Sequence, residues 1–106
     1  VEGRKRFLLA SGQTLGLVKI DGGAAVALKN GGSLLPVGLI EVVGTFERGD
    51  ALRIVGPNGE EIGRGLSNYA SADLVRIIGR QSEEIEKILG YAYGDEVVHR
   101  SNMVLL

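Results

Sequence analysis

Apolar and polar positions change their period several times along the chain, and each change marks an element. Thr14 to Ile20 (TLGLVKI) has the branched, apolar content of a strand, with Gly16 at a point of bulging or close packing. In DGGAAVALKNGG the spacing shifts, and Ala24, Ala27 and Leu28 fall on one helical face. Asp21 can cap its start and Asn30-Gly31-Gly32 ends it, so the pattern predicts a helix from about Gly23 to Asn30. With only Ala24 and Ala27 beside Leu28 on the inward face, that helix can lie very close to a sheet.

Leu34, Leu35, Val37, Leu39 and Ile40 follow, broken by Pro36 and Gly38. A helix is excluded here, because proline would lose a backbone bond and clash with the preceding turn, and glycine would cost about 1 kcal/mol more. The pattern predicts an extended segment through Pro36, where no ladder N–H is needed, and a strand from about Gly38 to Val43. TFERGD reads as a turn and Ala51 to Val55 as a strand. Gly56 to Glu60 (GPNGE) is a hairpin turn with Gly59 at positive φ, and Glu61 to Tyr69 is the returning strand.

Leu74, Ile77 and Ile78 then define a short helix ended by Gly79. Ser82, Glu83 and Glu84 open another, with Ile85, Ile88 and Leu89 inward and Gly90 as its stop. EVVH and NMVLL read as closing strands around a turn at Arg100-Ser101. The order predicts a mainly β domain with short helices, a sheet or barrel closed by its last strands with the helices at one side.

The 106 residues suffice for one domain carrying one site or surface. Gly occupies 17 positions, about twice the usual share of roughly 7%, which fits many tight turns between short strands. The chain has no Cys, which removes disulfides, thiolate metal sites and a Cys nucleophile. No apolar run approaches the roughly 20 residues that span a bilayer, and VEGRKRFLLASG has too short an apolar core for a signal peptide. The expectation is a cytoplasmic protein, and the lack of an initiating Met suggests a domain cut from a longer one.

The net charge of −1 argues against strong general nucleic-acid binding. Its distribution is uneven: residues 1–40 hold five bases against two acids, and residues 41–106 seven against eleven. His99 is the only histidine, so no metal site is expected. DGGAAVALKNGG lacks both phosphate-loop patterns, although backbone N–H groups at its helix start could hold one anion. The serines lack a nucleophile elbow, the carboxylates of SEEIEKI sit on a solvated face, and three Tyr with two Phe are too few for a base-stacking platform. No catalytic residues are predicted.

VKIDGGAAVALKNGGSLLPVGLIEV and RGDALRIVGPNGEEIGRGLSNY resemble the first strand, short Gly-Ala helix, following strand and later hairpin of PUA domains. RKRF, GSLLPVG, FERGD, GRGLSNY, IIGRQSEEIEKILGY and VVHRSNMVLL together are similar, in that order, to the C-terminal PUA domain of the bacterial glutamate 5-kinase family. The resemblance implies a PUA-like β pseudo-barrel over residues 13–106, preceded by a linker, residues 1–12, from an upstream amino-acid-kinase domain. That upstream domain would bind ATP and Mg²⁺ and phosphorylate the γ-carboxylate of glutamate in a homo-oligomeric enzyme of proline biosynthesis, inhibited by proline. This domain would need no cofactor and would act as an accessory, regulatory module. The resemblance also implies an alternative, RNA binding by the first helix and flanking strands, with Lys19, Gly22, Gly23, Ala24, Lys29, Leu35, Pro36, Val37 and Gly38 as the candidate contacts.

Overall fold

A computed structural model describes residues 14–106, so the linker expected over residues 1–12, with Arg4, Lys5 and Arg6, lies outside the described residues. Strand β1 (Gly16–Ile20) leads into helix α1 (Gly22–Lys29), and a single 3-10 turn (Pro36–Gly38) feeds β2 (Leu39–Gly44). Strands β3 (Ala51–Val55) and β4 (Glu61–Leu66) form the hairpin, followed by α2 (Ser71–Ile77), a 3-10 turn (Ser82–Glu84) and α3 (Ile85–Leu89). A last 3-10 turn (Arg100–Asn102) precedes β5 (Met103–Leu105). The five strands form one sheet in the order β2-β1-β3-β4-β5, with β1 and β3 parallel and the other pairs antiparallel.

Alternation along the strands sorts the two faces of this sheet. Val18 and Ile20 of β1 and Leu52 and Ile54 of β3 are fully buried in one core with Ala25 and Leu28 of α1, Leu74 and Ile77 of α2, and Ile85 and Leu89 of α3. Each large side chain so buried contributes about 1.5–3 kcal/mol relative to exposure. The three described helices therefore pack on one face. The other face shows two rows set by the pairing register: Val43, Leu17, Arg53, Arg64 and Val104 in one, and Glu41, Lys19 and Val55 in the next. Glu61 lies beside them with its carboxylate 2.8 Å from Arg64 Nε and 3.4 Å from Arg53 Nε. Hydrogen bonding to Arg64, then the charges of both arginines, holds Glu61 below the usual carboxylate range.

Four local predictions are corrected. Pro36 to Gly38 is one 3-10 turn, with Gly38 N–H donating to Leu35 O at 3.1 Å, because proline at a first helical position gives up only an N–H that has no partner anyway. The core face of α1 is Ala25 and Leu28, while Ala27 is exposed. Gln81, and not Ser82, caps the third helical segment through a reciprocal box with Glu84, and Ser82 Oγ donates to Asp95 O. EVVH forms no strand of the sheet; Val98 makes an isolated bridge to Leu34, with Val97 N–H donating to Leu34 O at 2.7 Å. The hairpin is as predicted, with Gly59 at φ 84°, and Gly90 ends α3 at φ 88°.

Candidate functional site

The first helix and the proline turn are fastened together at Asp21. Its carboxylate Oδ1 accepts from Ala24 N–H at 2.8 Å as the cap of α1, and its own backbone N–H donates to Gly38 O at 3.0 Å. This approach requires glycine at 38, since a Cβ there would stand 2.5 Å from Ala24 Cβ. On the far side, Pro36 O accepts from Gly79 N–H at 3.0 Å, which ties the turn to the end of α2. The turn is thus held at both edges.

A groove of about 290 Å³ opens between these elements. Asp21, Gly23, Ala24 and Ala27 line its helical side, and Ser33, Leu35, Val37 and Gly38 the other. Five of the nine candidate contacts, Gly23, Ala24, Leu35, Val37 and Gly38, therefore meet in one concavity. Pro36 is buried beneath it, Gly22 is exposed at the helix start and Lys29 is exposed in the last turn of α1. Lys19 points to the outer face of the sheet opposite Glu41 and does not enter the groove. Asp21, Ala27 and Ser33 were not among the predicted contacts; Asp21 carried a capping signal, Ala27 a helical-face signal, and Ser33 none.

The groove is apolar with one carboxylate at its lip. Leu35 and Val37 remain about two-fifths exposed although they sit beside buried neighbours. Asp21 already takes the Ala24 N–H that an external anion would use at this helix end, and its own charge opposes a phosphate there. Such a site suits an apolar group carrying a hydrogen-bond donor. Among the described residues no three His, Cys, Asp or Glu side chains converge as metal ligands, and no described helix is long and apolar enough to cross a membrane.

A second cluster lies elsewhere on the molecule. Tyr69 is fully buried, and its hydroxyl donates to Gly94 O at 2.7 Å and accepts from Tyr93 N–H at 2.8 Å. The Tyr93 ring stands 5.4 Å from both Tyr69 and Tyr91, with the Arg48 guanidinium 4.0 Å from its centroid. Tyr91 donates to Asp73 Oδ1 at 2.6 Å. Burial pushes the Tyr69 phenol up, and the bond to Asp73 does so for Tyr91. All three tyrosines of the chain meet in this corner, which composition alone does not show.

The sequence matches the PUA domain family over residues 16–89. It is 50% identical to a glutamate 5-kinase of Deinococcus radiodurans over the whole of this chain and 29% of the relative. A glutamate 5-kinase of Trichlorobacter lovleyi is also 50% identical, over 97% of this chain and 28% of the relative. The chain thus spans under a third of the length of these curated relatives, in their C-terminal region. Among solved structures, a PUA domain from Aeropyrum pernix K1 in a tartrate complex superposes with a TM-score of 0.61 at 26% identity, over 90% of this chain and 46% of that one. An archaeal box H/ACA sRNP Nop10-Cbf5 complex shares the fold at a TM-score of 0.55 and 20% identity, over 83% of this chain and 25% of that one.

Proposed function

The chain belongs to the PUA domain family, and from that premise we propose that it is the accessory module of a glutamate 5-kinase, shaping the assembly or the feedback response of the enzyme. The observation that supports this most is identity near 50% along the whole chain with glutamate 5-kinases of which it spans under a third. In this reading ATP and Mg²⁺ are held by the upstream kinase domain, which phosphorylates glutamate in a cytoplasmic, homo-oligomeric enzyme of proline biosynthesis. The groove at α1 then serves contacts between protein surfaces, for which its apolar lining and single carboxylate are suited. Deleting the module from the full-length enzyme is expected to change either the mass measured by light scattering or the inhibition curve for proline. Unchanged mass and unchanged inhibition would overturn the reading.

RNA binding is a second reading, supported by the five candidate contacts that line one groove and by the exposed Lys29 at its helix. Against it stand Asp21 at the lip and Lys19 on another face. Fluorescence anisotropy of labelled tRNA with the full-length protein separates the two. Salt-sensitive binding weakened by Lys29→Glu would favour RNA, and no binding even at low salt would remove it.

A further inference from the structure

Among the described residues, no helix covers the outer face of the sheet. The three described helices pack on the opposite face, yet this one carries Leu17 and Val43 side by side, with Leu15 next along the chain. Leu15 is 55% exposed and Val43 44%. A shallow pocket of about 230 Å³ lies here, lined by Thr14, Leu15, Leu17, Val43 and Arg53 among others. Isolated exposed apolar residues need no explanation, but a contiguous patch with a concavity and an arginine at its rim has the makeup of an interface.

The position of this patch says what covers it. Thr14, the first described residue, is itself part of the pocket, so the chain enters the described domain at the patch. The relatives carry more than two-thirds of their length outside the matched region, and that region is C-terminal. An upstream domain on the same polypeptide meets the patch intramolecularly, so a modest apolar contact is enough to dock it. We infer that the Leu15, Leu17, Val43 and Arg53 face is where the upstream domain of the same polypeptide packs. The Glu61 pairs with Arg53 and Arg64 preset one arginine of that face. The inference rests on reading the chain as one module of a longer kinase.

The test uses the full-length protein with a photo-activated benzophenone side chain at position 43 and, as control, at Val75, which is 52% exposed on α2. Position 43 should cross-link to upstream residues of the same chain at about tenfold or more the yield of position 75, as a tethered contact predicts. Equal yields, or cross-links joining the sheet faces of two copies, would overturn the inference. In parallel, Val43→Glu, at an exposed site that leaves the core untouched, should expand the small-angle scattering profile of the full-length protein, while Val75→Glu should not. Equal profiles would also overturn it. Cross-linking failure beside a clear effect of deleting the module removes this docking face alone; a cross-link without any deletion effect supports the face and removes the regulatory role.

Discussion

The groove at α1 and the tyrosine corner are built by opposite means. The groove exists because side chains are missing: Gly38 has no Cβ where Ala24 stands, and small residues line the helix above it. The corner exists because large side chains converge, with Tyr69 at its centre and Tyr93, Tyr91 and Arg48 arranged outward from it. A surface made by omission tolerates loss and fails on addition. A cluster made by convergence does the reverse.

The largest expected effect therefore comes from truncating the corner. Tyr69→Ala should destabilise the chain by about 3–5 kcal/mol, since it removes a fully buried ring together with the two hydrogen bonds of its hydroxyl to Gly94 O and Tyr93 N–H. Thermal unfolding checks this, at about 4–8 °C per kcal/mol for a domain near this size. Gly38→Ala comes next, at about 1–3 kcal/mol, because its methyl would overlap that of Ala24. The double variant Gly38→Ala with Ala24→Gly restores the space and should recover most of the loss except the cost of glycine in a helix, about 1 kcal/mol. With Ala24→Gly measured alone, a coupling energy near zero across this cycle would show that the two methyl positions do not collide.

This contrast also explains what was legible in the sequence. The break at Pro36 and Gly38 announced a special backbone, because those residue types restrict or free φ wherever they stand. Its form was missed: a proline that ends a long helix can equally begin a single turn, and only the hydrogen bonds of Leu35 and Pro36 decide between them. Ala24 and Ala27 were assigned to the core by spacing, whereas Ala25 is buried there, Ala24 packs against its edge and Ala27 is exposed, since three alanines in four positions leave the helical face undetermined. The tyrosine corner left no trace in local pattern. Its members come together from residues 48, 69, 91 and 93, and the bond from Tyr69 to Gly94 spans 25 positions.

The two smallest predictions measure the polar fastening of each region. Asp21→Ala should cost about 0.5–2 kcal/mol by removing the carboxylate that caps Ala24 N–H, and Asp21→Asn should retain most of the stability. Because the backbone bond from Asp21 N–H to Gly38 O survives both changes, the groove keeps its shape while its one lining charge disappears. Asp21→Asn thus isolates the electrostatic part of the site: if tRNA affinity rises at low salt with this variant, the carboxylate is what repels RNA. Arg48→Ala should cost only about 0.5–1 kcal/mol, the worth of an exposed cation over an aromatic ring. Its loss leaves Asn68 still donating to Tyr93 O and Glu96 O, so the corner stays closed beneath it. A loss as large as that of Tyr69→Ala would mean that Arg48 holds the corner together, and that convergence there begins at the surface and not at the buried ring.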